Sequence, residues 1–262
     1  MARRSALVET LERYASIATG AGAPTPTLIG TEPLRRLADG ARIVDEIFRA
    51  TGLALHVLSH EEEAFLTLIG VTQGRPVDHD LLVVDVGGGS SELVFVGPDR
   101  PAVAAGLRVG ARRLSSRFAA TDPPTVAELA VLRAAAREAV AAAPSYQPAE
   151  VVLVGGPASN LVKVVPDGLL SRRLTSTDLE GVFRLVAEHP ADDVADRYGL
   201  RPARARMLAA GAAIVEAMMD RYGVTEVRVS EGGIREGTVL AVAREGTGWR
   251  DRLERLAHGW VA

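Results

Sequence analysis

Residues 81–97 read LLVVDVGGGSSELVFVG, two apolar β runs joined by three consecutive glycines. This is the pattern of a β-hairpin. Asp85 closes the first run. Gly87, Gly88 and Gly89 let backbone N–H groups approach a ligand without Cβ interference, and Ser90, Ser91 and Glu92 follow with two hydroxyls and a carboxylate. Those are parts for holding a phosphate and a hard cation, although a plain hairpin turn also favours glycine. The same device of a strand followed by glycines recurs at Val154-Gly155-Gly156 and Ser230-Glu231-Gly232-Gly233. Three such turns after three apolar strands point to one ligand crevice at the carboxyl ends of a sheet.

Around these turns the chain alternates helix and strand, which sets the fold class as α/β. Leu7, Leu11, Tyr14 and Ile17 predict a helix over residues 3–19, ended by GAGAPTP. TLIG is a short strand, and a helix is expected from Pro33 to Ala50, closed by Gly52. LALHVLS reads as strand and EEEAFLTLIGV as a helix with three acids in its first turn, where the helix dipole favours them. Downstream, ARRLSSRF is a short helix, an Ala-rich helix covers about 125–143, and TSTDLEGVFRLVAEH is a capped helix. RPARARMLAAGAAIVEAMMDRYG reads as one longer helix.

Composition narrows the function. Thirty Lys+Arg against 33 Asp+Glu give a net charge of -3, so no global positive field exists to hold a nucleic acid. Lys163 is the sole lysine, and the remaining cations are arginines, whose planar fork suits phosphate oxygens, although an Ala/Arg-rich composition reads first as coding bias. The absence of cysteine excludes disulfides, thiolate catalysis and cysteine-ligated metals. No uncharged apolar stretch reaches membrane-spanning length and the first residues lack a signal-peptide pattern, so a cytoplasmic protein without membrane contact is expected. The five histidines are scattered, which argues against a His-based metal site, and His60 reads as a spectator. Arg201, Arg204 and Arg206 read as a solvated helix face.

From Leu7 to Leu240 the segments GTEPLRRLADG, HVLSHEEEAFLTLIGV, LLVVDVGGGSSELV, GLRVGARRLSSRF, VVLVGGPASNL, RMLAAGAAIV and VSEGGIREGTVL occur in an order that resembles the Ppx/GppA phosphatase family. The resemblance implies a two-domain actin-like (ribonuclease H-like) ATPase fold. It assigns residues 1–70 to a partial first domain, 71–243 to a second and 244–262 to a helical tail. It also implies Mg²⁺-dependent release of terminal phosphate from inorganic polyphosphate or guanosine pentaphosphate (pppGpp), and a homodimer. By position, Glu63 resembles the general base that activates water, and Asp85 and Glu92 the Mg²⁺ ligands. Arg35, Gly87, Gly88, Gly89, Ser90, Gly155 and Gly156 resemble phosphate-contacting positions.

Three departures temper that expectation. The family's first strand and its DxGSNS-like loop have no counterpart here, so the first domain is expected to be truncated at its N-terminus and TLIG to present an open sheet edge. Phe65 stands where the family commonly has arginine. Pro157 replaces a hydroxyl-bearing residue and removes a backbone donor. A phosphate- or alarmone-binding module without activity, or a partner subunit, is therefore the alternative expectation.

Overall fold

The computed structural model describes residues 2–23, 26–35 and 37–260, and by contact it divides into one unit up to Ser59 and another from His60 onward. The first unit runs α1 (Ala2–Gly20), β1 (Leu28–Gly30), α2 (Glu32–Arg35), α3 (Gly40–Thr51) and β2 (Leu55–Val57). In the GAGAPTP break, Pro24 and Thr25 lie outside the described residues. β1 and β2 pair in parallel, with Ile29 opposite His56. The helix expected from Pro33 to Ala50 is two pieces: α2 stops at Arg35, and α3 restarts at Gly40. Chain reversal there brings Gly40 so near α2 that a Cβ would lie 2.9 Å from the Leu34 carbonyl oxygen. Arg36, inside the expected helix, is outside the described residues.

The second unit opens with α4 (His60–Thr72), β3 (Leu81–Val86), β4 (Ser91–Gly97), β5 (Arg100–Leu107) and α5 (Ala111–Phe118). It continues through α6 (Val126–Val140), β6 (Glu150–Val154), α7 (Gly156–Val164), α8 (Gly168–Ser171), β7 (Arg173–Thr175), α9 (Ser176–Glu188), α10 (Ala191–Tyr198) and α11 (Pro202–Ala205). It closes with α12 (Leu208–Tyr222), β8 (Glu226–Val229), α13 (Ile234–Glu245) and α14 (Leu253–Ala257). Its six strands form one sheet in the order β5-β4-β3-β6-β8-β7. β3, β6 and β8 are mutually parallel neighbours, so the three glycine turns that follow them share one edge of the sheet.

Alternation in β3 sorts the sheet's two faces. Leu82, Val84 and Val86 join the core formed with α6, α7, α9 and α12. Leu81, Val83 and Asp85 face the other way, toward the layer of α4 and α13. Both faces are covered, so the strand is apolar along nearly its whole length. α4, within the expected first domain of residues 1–70, packs on β3, β4 and β5 and groups with the second unit. α14, within the expected tail, packs on α4.

The long helix expected over residues 201–223 is broken between α11 and α12. At the break the Arg206 carbonyl accepts from Ser115 Oγ of α5 at 3.0 Å.

α4 and α13 approach so closely that side chains are excluded between them. A Cβ on Gly237 would overlap the Leu66 carbonyl oxygen, and one on Gly70 would overlap the carbonyl of Gly233. These clashes are with backbone, which has no rotamer through which to escape. Gly237→Ala is therefore expected to destabilise by about 2–3 kcal/mol as an overpacked interior, lowering the thermal midpoint by roughly 5 °C or more. A melting curve checks this, and an unchanged midpoint would show that α13 can slide away without loss.

Candidate active site

β-Pairing sets the first feature of the site. Asp85 on β3 and Glu92 on β4 are directly opposite partners, so two carboxylates project from one face of the hairpin with Cβ atoms about 5 Å apart. Glu92 is buried. Burial, and after it the charge of Glu92, pushes the Asp85 carboxyl up to about 7. Like charges directly opposed in a sheet are unfavourable without a cation between them. The Glu92 Oε1 atom is itself fixed, with Ser90 Oγ donating to it at 2.7 Å and His60 Nδ1 lying 2.8 Å away. Among the described residues no group of three His, Cys, Asp or Glu side chains forms a complete metal cage. Two hard carboxylates nonetheless suit Mg²⁺, which is commonly held by one or two carboxylates, waters and the phosphates of a substrate.

The loop between those carboxylates has its carbonyl groups turned to one side. Ala111 N–H donates to Gly87 O and Arg113 N–H to Gly88 O, both at 3.0 Å, while Arg113 Nε donates to Gly89 O at 2.8 Å. The start of α5 presses against the loop, where a Cβ on Gly110 would lie 2.5 Å from the Gly88 carbonyl carbon. With their carbonyls engaged on α5, the N–H groups of Gly88 and Gly89 have no protein partner among the described residues. Successive N–H groups of this kind form an anion-binding concavity.

The second turn adjoins the first. Gly155 has φ 94°, and a Cβ there would stand 2.5 Å from both Asp85 Oδ1 and the Val86 carbonyl oxygen, so only glycine fits. A cavity of about 280 Å³ is lined by Asp85, Gly155, Gly156, Ser159 and the Ser230–Glu236 turn. This cavity joins the second and third strand-and-glycine turns to Asp85 at the end of β3, and the glycines of the first turn are not among its lining residues. In the third turn, however, glycine also serves packing, because a Cβ on Gly232 would overlap the Gly70 carbonyl oxygen. Arg204 is exposed, as expected of a solvated face, and its guanidinium also borders the second turn, with Nη1 3.0 Å from where a Gly156 Cβ would be. Arg206 pairs with Asp122 at 3.4 Å.

α4 lies across the face that bears Asp85 and Glu92. Of its three first-turn acids, Glu61 is exposed and Glu62 is held by Arg250 through a two-point ion pair. Glu63 is buried. It follows His60 by three residues and so shares its side of the helix. His60, expected as a spectator, lies against Glu92. Phe65, in place of an arginine, is buried in the core, and Pro157 occupies the first turn of α7, where a missing N–H costs least. Arg35 belongs to the first unit, where it donates to the Leu58 carbonyl.

The model of the Ppx/GppA phosphatase family matches residues 2–245. The chain belongs to this family of hydrolases. Among Ppx/GppA relatives, exopolyphosphatase 1 of Mycobacterium tuberculosis is 26% identical over 251 residues, covering 89% of this chain and 72% of that protein. The Aquifex aeolicus Ppx/GppA family member superposes with a TM-score of 0.80 at 22% identity, over 93% of this chain and 82% of that one. An exopolyphosphatase from Cytophaga hutchinsonii gives a TM-score of 0.78 at 20% identity, over 92% and 82%. The fold is therefore the actin-like α/β fold of the Ppx/GppA proteins.

Proposed function

We propose that the chain is a Mg²⁺-dependent phosphoanhydride hydrolase that releases terminal phosphate from inorganic polyphosphate. The observation that carries this is the Asp85–Glu92 pair flanking a loop whose Gly88 and Gly89 N–H groups are left for an anion. Polyphosphate is favoured over pppGpp because the relatives carry the name exopolyphosphatase. In this reading Glu63, on the helix across the same face, takes a proton from the attacking water. Gly88, Gly89 and the Ser90 hydroxyl orient the terminal phosphate, with Gly155 and Gly156 allowing the chain's close approach. Mg²⁺ held by Asp85 and Glu92 would neutralise charge on the phosphoryl oxygens. No covalent nucleophile is needed.

The same reading includes the cytoplasm and a homodimer. No helix among the described residues is long and apolar enough to cross a membrane. β1 pairs with β2 alone among the described residues, leaving an edge that a second copy would cover.

The test is orthophosphate release from polyphosphate and from pppGpp, with Mg²⁺ and with EDTA. Metal-dependent release from polyphosphate is expected, lost on chelation. Tight binding of both compounds without release would instead support a binding module, and release from pppGpp alone would reassign the substrate.

A further inference from the structure

We infer that His60 is a positioning residue that sets the affinity of the Asp85–Glu92 pair for its cation. The inference rests on the reading of that pair as a cation site, and adds a residue to it that lies outside the loop.

Three residues stand in a row across the sheet. Asp85 on β3 is opposite Glu92 on β4, and Glu92 is in turn opposite Gly106 on β5. Directly opposed residues share a face, so a side chain at 106 would stand beside Glu92. There is none, and the imidazole of His60 takes its place. A Cβ on Gly106 would lie 2.8 Å from His60 Cγ and 2.9 Å from Nδ1, so the ring rests directly on the glycine. From that seat Nδ1 reaches Glu92 Oε1 at 2.8 Å. Because Ser90 Oγ donates to the same oxygen at 2.7 Å, Oε1 is gripped from two sides and the carboxylate plane is set before any cation arrives. A long acidic side chain otherwise spreads over several rotamers, and fixing it in advance lowers the entropy lost on binding. Partners of this kind behind a metal ligand typically change metal affinity by about 10–100-fold.

The experiment is Mn²⁺ binding to the full chain, read by the loss of the free-ion electron paramagnetic resonance signal, alongside melting curves. His60→Ala is expected to raise the dissociation constant by about tenfold or more with little change in melting point. His60→Asn, whose amide nitrogen can stand near the position of Nδ1, is expected to restore most of the affinity. Gly106→Ala displaces the ring and is expected to weaken binding as His60→Ala does. The double variant should be no worse than either single one, since both remove one interaction. Equal affinity in wild type and His60→Ala would overturn the positioning role alone. Absence of Mn²⁺ binding by the wild-type chain would overturn the cation site and the inference with it.

Discussion

Glu63→Gln is expected to reduce orthophosphate release from polyphosphate by about 10²- to 10⁴-fold, the usual worth of a general base. The swap retains shape and hydrogen-bonding capacity at a buried position, so the fold should persist while the ability to take a proton from water is lost. α4 explains how the position is held: residues 63–70 are all buried, and Gly70 and Leu66 meet α13 backbone to backbone. Helix rotation that would remove Glu63 from its layer is thereby blocked. The measurement is kcat at saturating polyphosphate, with Mn²⁺ affinity measured beside it. Release within threefold of wild type would strip Glu63 of the base role, while loss of both activity and Mn²⁺ binding would show that the substitution had damaged the site at large.

What the sequence made legible was what local chemistry determines. The hairpin at 81–97 and the glycine turns after β3, β6 and β8 were readable because strand-forming runs and glycine act over a few residues. The capping box of α9, with Thr175 and Asp178 bonded reciprocally, was readable for the same reason. Features set by distant partners were not. The break before α12 coincides with a contact from far away in the chain, Ser115 Oγ donating to the Arg206 carbonyl. His60 could be connected to Glu92 only once the register placed Gly106 opposite that carboxylate. Arg204 follows the same rule, since its contact with Gly156 comes from the packing of α11 beside α7. The third turn shows a different limit. Its glycines look like those of the first two, yet Gly232 also admits α4, a purpose that periodicity and turn propensity do not report.

Asp85→Asn should separate stability from function. Burial, followed by the charge of Glu92, raises the folded Asp85 carboxyl to about 7 from an ordinary 3.8. For a raised acid the neutral form is the one the fold favours. The metal-free protein therefore carries no penalty from this group below about 4, loses stability as pH climbs from there to about 7, and holds the whole penalty above it. At about 1.4 kcal/mol per pH unit the ceiling is about 4 kcal/mol. Asparagine has nearly the same shape and cannot ionise, so the variant is expected to melt higher than wild type at pH 8 and to lose that advantage at pH 4. Adding Mg²⁺ should raise the wild-type midpoint at pH 8, because a ligand that binds the native state stabilises it, and should do far less for the variant. Activity should move the other way, falling by about 10²-fold or more, because the group that costs the empty fold stability is the one that would hold the cation. Paired melting curves and phosphate-release rates decide the matter. A variant less stable than wild type at pH 8 would mark Asp85 as a structural carboxylate, and one that kept full metal-dependent release would remove it from the cation site.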